Sequence, residues 1–205
     1  MFLKQLQDLV NGEKSKYTVQ ELLDHFESSS IVVCLVLATF ITSIPLPPWG
    51  GGFETIPGGL LSIFIALQGL LGREQVYIPP FLRSFEIDIK FIQKSDHTKA
   101  AFQWIESHIQ PDRYTWGLNK FTETLMYLLV IPNALLMLVP IMFTNGPPSQ
   151  CITLMALSWL LYDGFYFLIM LATSTFVILM YIVLFIVFSK FLYRTRKTWT
   201  FGLWK

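Results

Sequence analysis

Four long stretches of the chain carry no Asp, Glu, Lys or Arg: Glu27 to Glu54, Glu54 to Arg73, Glu123 to Asp163, and Asp163 to Lys190. A helix needs roughly 20 apolar residues to cross a hydrocarbon core about 30 Å thick, so runs of this kind in 205 residues predict an integral membrane protein. The first apolar span covers about Ser30 to Ile44 and stops at Pro45, Pro47, Pro48 and the glycines that follow Trp49. Prolines and glycines at that density cannot continue a helix. A second apolar segment then runs from Pro57 to Gly72, with proline at the preferred first helical position. Sixteen residues reach only about 24 Å at 1.5 Å per residue, which predicts a re-entrant half-helix or a span that leans on neighbours. The second half follows the same plan: a span from about Leu125 to Phe143, a break at Asn145, Pro147 and Pro148, and a helix through Leu161. A last apolar run, Phe165 to Ser189, fits either one tilted span or two pieces meeting near Thr173, Ser174 and Thr175.

The two halves also share a spacing. Ala66, Leu67, Leu70, Leu71 and Arg73 match Ala156, Leu157, Leu160, Leu161 and Asp163, ninety residues on. The expected fold is therefore an all-α integral membrane protein with two pseudo-symmetric repeats, each a transmembrane helix, a Pro/Gly break and a short, re-entrant helix. Small-solute transporters are often built from such repeats with discontinuous helices. The expected organisation is amphipathic N-terminal helices over 1–29, a first membrane repeat over 30–82, an amphipathic interfacial connector over 83–120, a second repeat over 121–189 and a basic tail over 190–205. Thr18 and Glu21 are spaced as a capping box for a helix carrying Val19, Leu22, Leu23 and Phe26, after a first amphipathic stretch with Phe2, Leu3, Leu6, Leu9 and Val10. In the connector, Phe85, Ile87, Ile89 and Phe91 alternate as a strand would. A surface-lying helix is the expectation there all the same.

Charge adds orientation rather than class. The net charge is +1, which gives no reason to expect a nucleic-acid partner. The cations Lys190, Arg194, Arg196, Lys197 and Lys205 follow the last span and place the C-terminus in the cytoplasm. Charged residues from Lys4 to Lys16 precede the first apolar run, so no cleavable signal is expected. Cys34 and Cys151 lie in apolar runs as packing residues. His25, His97 and His108 have no metal spacing or paired nucleophile, so neither metal, cofactor nor enzymatic activity is expected. Trp49, Trp104, Trp116 and Trp199 read as interface anchors.

Polar residues in lipid point to the candidate site. Irregular backbone at membrane depth must be covered by protein or face a wet cavity. Helices opening at Pro57 and Pro147 would aim free N–H groups and positive dipole ends at an anion or polar solute. Glu54 and Asn145 lie just ahead of those openings, and Gln68 and Ser158 occupy matched mid-helix positions. Arg73 and Asp163 lie at the two helix C-termini. The helix field favours arginine there and disfavours aspartate, so Asp163 needs another reason, and Arg73 is the expected partner in one polar cluster.

The run from Pro45 to Gly58, then Ala66-Leu67-Gln68, Gly72-Arg73, Ile78-Pro79, Glu106 with Pro111 and Arg113, Thr144-Asn145 and Asp163-Gly164, resembles the ExoD family of bacterial membrane proteins. The likeness covers most of the chain from about Thr18. It departs at Tyr77, where the family usually has tryptophan, at Trp49 with its three following glycines, a variant of the usual Pro-Gly turn, and at Tyr162, which replaces an arginine and leaves Asp163 more dependent on another cation. The resemblance implies a multi-pass inner-membrane protein linked to exopolysaccharide synthesis, and an ion pair between Glu106 and Arg113 at the membrane surface. The expected partners are the lipid bilayer, a small solute or ion, and a second copy of the chain. Two functions are carried forward: a transporter or channel acting between the repeats, and a non-transporting scaffold for the synthesis machinery.

Overall fold

A computed structural model describes residues 16–25, 31–43, 55–73, 76–84, 86–88, 103–105, 107–139 and 145–202, with the isolated residues 12, 14 and 100. Most of these are helical. Strand β1 (Lys16–Thr18) leads into α1 (Val19–His25), followed by α2 (Ile31–Ser43), α3 (Thr55–Leu70), α4 (Pro80–Arg83) and β2 (Glu86–Asp88). After a single 3-10 turn (Thr115–Gly117) come α5 (Lys120–Met137), α6 (Gly146–Leu160) and α7 (Gly164–Gly202).

The capping box at α1 forms as spaced: the Thr18 N–H donates to Glu21 Oε2 at 3.0 Å and the Glu21 N–H to Thr18 Oγ1 at 3.1 Å. Leu22 then enters the core, so α1 docks on the bundle. Part of the connector departs from the helical expectation. Glu86–Asp88 is a strand, antiparallel to β1 with Tyr17 opposite Ile87, because the alternating side chains find a partner edge in the N-terminal segment. The stretch around Phe2 to Val10 and the first break at Pro45, Pro47 and Pro48 lie outside the described residues, as does Glu54.

Helix α3 opens at Thr55, so Pro57 sits within its first turn rather than at its first position; both are places where the missing N–H removes no helical bond. In α6, Pro147 and Pro148 occupy the first turn as expected. Helix α5 starts earlier than the apolar run suggests. Asn119 and Thr122 exchange capping bonds at 3.0 and 3.1 Å, and the polar Lys120 and Glu123 fill its first turn. Pro132 lies inside α5 and removes one rung of its ladder.

Helix α2 packs against α3 and α6, α3 against α5, and α6 against α5 and α7. Gly59 of α3 lies against Ala134 and Leu138 of α5, and Gly69 lies against the Tyr127 ring, so these helices are antiparallel. The start of α5 bonds to Gly117, which rests against Gly164 and Leu168 of α7. The C-terminal ends of α3 and α6 therefore meet the same end of the bundle. Met126, Val130, Ala134, Ile152, Met155, Leu157 and Phe167 fill the interior.

The last apolar run is one continuous helix through Thr173, Ser174 and Thr175. Its segment Gly164–Thr195 is long and apolar enough to cross a membrane, and Ile56–Leu70 is a shorter apolar helix.

The two matched helices end alike. In α3, the N–H groups of Leu71, Gly72 and Arg73 donate to the carbonyls of Leu67, Gly69 and Gln68; in α6, those of Leu161, Tyr162 and Asp163 donate to Leu157, Trp159 and Ser158. Each closure needs a left-handed residue, Gly72 at φ +72° and Tyr162 at φ +57°. A non-glycine residue there costs about 1–2 kcal/mol. The Tyr162 side chain is mostly exposed and loses little on removal, so Tyr162→Gly is expected to raise stability by roughly 0.5–1 kcal/mol after the entropy of the added glycine is counted. Thermal unfolding in detergent measures it; an unchanged or lower midpoint contradicts the strain.

Candidate functional site

Asp163 is fully buried in the turn between α6 and α7. Its two oxygens accept four hydrogen bonds. Oδ1 takes one from Arg113 Nε at 3.1 Å and one from the Tyr166 N–H at 2.9 Å, while Oδ2 takes one from Arg113 Nη2 at 2.8 Å and one from the Gln110 N–H at 2.9 Å. The guanidinium fork matches the carboxylate bidentately, the strongest geometry for such a pair. The bond to Tyr166 also makes Asp163 the N-terminal cap of α7. That answers the question left by the sequence: the same residue that ends α6 begins α7, and the second helix's positive end supplies what the first opposes.

The chain reaches this geometry through tight backbone. Asp112 and Tyr114 adopt left-handed φ angles of 62° and 52°, turning the segment so that Arg113 presents its side chain to Asp163 and its carbonyl to the Gly164 N–H at 2.7 Å. A Cβ on Gly164 would stand 2.0 Å from the Tyr114 carbonyl oxygen. Only glycine permits that approach, which gives the Asp-Gly pair a structural cause. The Arg113 guanidinium also lies 4.7 Å from the centre of the Phe165 ring, within cation–π range.

The expected pairing of Asp163 with Arg73 is corrected here. Arg73 is exposed at the end of α3, and the cation on Asp163 is Arg113, brought across 50 residues of sequence by the folded connector. The ion pair expected between Glu106 and Arg113 involves a residue outside the described set; Arg113 bonds Asp163. Gln68 is buried and clasps the backbone of one residue, accepting from the Tyr77 N–H at 2.6 Å and donating to the Tyr77 carbonyl at 3.2 Å. The Ser158 hydroxyl donates back to the Leu154 carbonyl within its own helix. Asn145 is buried at the start of α6 with no side-chain cap bond. Among the described candidates, Arg73 bonds Gln68 and Asp163 bonds Ser158 through the backbone closures of α3 and α6, while the side-chain bonds of Gln68, Ser158 and Asp163 run to other residues.

Sequence reasoning missed two buried polar contacts. Thr153 of α6 donates to Thr39 of α2 at 2.8 Å, and Asn133 of α5 donates to Ser174 of α7 at 2.7 Å. Hydroxyls and an amide inside charge-free runs were the available signal. Near the knot, Trp104 stacks on His108 at 4.3 Å. His108 Nδ1 and the Ser107 hydroxyl both lie 2.8 Å from the Trp104 carbonyl oxygen. A carbonyl only accepts, so Nδ1 is the donor there and is no base for Ser107.

The family model described as "Exopolysaccharide synthesis, ExoD" matches residues 2–185. The chain belongs to the ExoD family. No curated protein and no solved structure matches it. ExoD membership links the protein to exopolysaccharide synthesis and to the membrane. The Pro111-x-Arg113 and Asp163-Gly164 pairs that carry the resemblance are the residues of the knot.

Burial alone would raise the Asp163 carboxyl, but the Arg113 bond, the two backbone N–H groups and the guanidinium charge outweigh it and hold the group below its usual range. A depressed folded value means the stabilisation is complete above about pH 4, the unfolded carboxylate's range, and is lost as pH falls through the lower folded value. Arg113→Ala leaves a buried charge unpaired and is expected to cost about 3–5 kcal/mol; Arg113→Lys keeps the charge, loses the fork and costs less. Unfolding midpoints at pH 7 for the two variants, with a wild-type series from pH 6 to pH 3, test the ranking and the sign. Equal midpoints for wild type and Arg113→Ala contradict the knot.

Proposed function

We propose that this ExoD protein is a multi-pass inner-membrane transporter or channel that moves a small solute between two repeats in support of exopolysaccharide synthesis. The observation that carries the reading is the shared closure of α3 and α6, bond for bond at a spacing of ninety residues. Both helices carry proline in their first turn and end at the same end of the bundle, which supports repeats related in parallel rather than inverted. Buried Thr39, Asn133, Thr153 and Ser174 supply polar groups at depth, where uncompensated ones are costly. The basic residues after Ser189 favour a cytoplasmic C-terminus, with the Arg113–Asp163 end toward the opposite face. Its partners are the bilayer, the solute and a second copy of the chain; no covalent step is part of the reading.

One observation favours the scaffold instead. Ile182 to Phe188 of α7 is exposed on every side, a surface that a synthase component could cover as well as lipid. Flux in proteoliposomes across ions, amino acids and polyols decides between them, with Thr153→Val as the variant: it keeps the volume and removes the bond to Thr39. Transport predicts flux for at least one solute and a roughly fivefold fall in the variant, the equivalent of about one hydrogen bond. Absence of flux for the whole panel favours the scaffold.

A further inference from the structure

Asn133 lies at the centre of the bundle, completely buried, one residue after the proline inside α5. Its amide nitrogen donates to the Leu129 carbonyl at 2.8 Å and to Ser174 Oγ at 2.7 Å. Its Oδ1 has no hydrogen-bond partner. Turning the amide over would not help: it would set Oδ1 against the Leu129 carbonyl and strand the nitrogen, so the orientation follows from the network. A buried amide oxygen left unmet carries a desolvation cost of about 1–3 kcal/mol, and native interiors rarely keep one without a small ligand or water on it. Ser174, the acceptor of the amide, keeps a second lone pair and its own proton. Together the two side chains offer an acceptor-rich position between α5 and α7.

We propose that Asn133 Oδ1 and Ser174 Oγ form a binding position for a small uncharged hydrogen-bond donor, either water or the hydroxyl of a small polyol. The identification of the ligand class rests on the solute-path reading above, and it narrows that reading to neutral solutes. The reason for neutrality is electrostatic. Among the described residues no carboxylate or cation bonds to either side chain, the other buried residues of α5 and α7 are mostly apolar, Met126, Val130, Ala134 and Met170 among them, and an ion entering there would lose its hydration for two neutral oxygens. A donor group loses far less. The position also accounts for the continuity of α7 through Thr173–Thr175: the neighbouring Thr173 and Thr175 hydroxyls bond back to Ile169 and Leu171 of their own helix, while Ser174 alone of the three is fully buried and engaged across helices.

The test uses the full chain in lipid nanodiscs, with asparagine side-chain carbonyls labelled with carbon-13, and reads the infrared band lost in Asn133→Leu. A band at the lower wavenumber of a hydrogen-bonded amide carbonyl is the expected result; one at the higher wavenumber of a free carbonyl overturns the proposal. Repeating the measurement with glycerol separates the sources, since a band moved by glycerol assigns the hydroxyl and an unmoved, lowered band assigns water. If Asn133→Leu does not fold, Ser174→Ala serves: loss of the second contact should move the lowered band upward, and an unshifted band overturns the shared site. Stopped-flow permeation of water and glycerol into proteoliposomes runs beside it, with at least a fivefold fall expected in Asn133→Leu. A lowered band without permeation leaves the binding position standing and removes the transport reading, whereas permeation with a free carbonyl does the reverse.

Discussion

A carboxylate removed from water is tolerable only when its charge is met on every side, and in this ExoD protein that requirement organises one whole end of the bundle. Asp163 accepts from two guanidinium N–H groups and two backbone N–H groups. Each donor belongs to a different stretch of local structure: Gln110 to the connector, Arg113 to its left-handed turn, Tyr166 to the first turn of α7. Satisfying one side chain therefore fixes the angle between α6 and α7, the course of the connector and, through Gly117 and Thr122, the start of α5. The small loop entropy of closing 50 residues is offset by bonds that no water could replace once the site is closed.

The two matched helices show how one backbone design carries two chemistries. Both end in the same three hydrogen bonds. After α3, the left-handed position is a glycine and the next residue, Arg73, is exposed; the following chain is captured by Gln68, which holds the N–H and the carbonyl of Tyr77. After α6, the left-handed position is a strained tyrosine, the next residue is buried, and Asp163 itself captures the connector. The polar side chain in the last turn of α3 thus does there what the terminal carboxylate does after α6. Ser158, relieved of that task, bonds back within its helix.

This division explains which features were legible in the sequence. Helix boundaries set by local chemistry, such as the Thr18–Glu21 cap and the prolines of α6, could be read directly because their partners lie within a turn. The spacing of ninety residues was equally visible, since it is a pattern of identities. The partner of Asp163 was not, because Arg73 is its counterpart in the shared spacing and Arg113 is its neighbour only once the chain has folded. Asp112 and Tyr114 in left-handed backbone are not residues that announce a turn as glycine would. Strand β2 was hinted at by alternation, yet its partner edge lies some seventy residues earlier. Asn133 escaped notice, and Ser174 was read only as a possible join in the last run, for the opposite reason: in a soluble helix each would be ordinary, and only the apolar surroundings make them costly.

Helix α7 carries the remaining constraint. Its 39 residues extend about 58 Å, more than twice the length of α3 or α6, and from Ile178 to Thr195 no residue of it is buried. The exposed part is apolar around its whole circumference from Phe176 and Leu179 to Phe188, so it has no face to turn to water. The first turns of α7 belong to the bundle because Asp163 holds them there; the later turns belong to whatever apolar medium surrounds the protein. From Gly164 to Lys190 the helix rises about 39 Å, the thickness of a hydrocarbon core with part of its headgroup layers. The Arg113–Asp163 knot and the basic residues that follow Ser189 therefore stand toward opposite ends of the segment that is long and apolar enough to cross a membrane, and the knot that sets the bundle's geometry also sets where its longest helix starts.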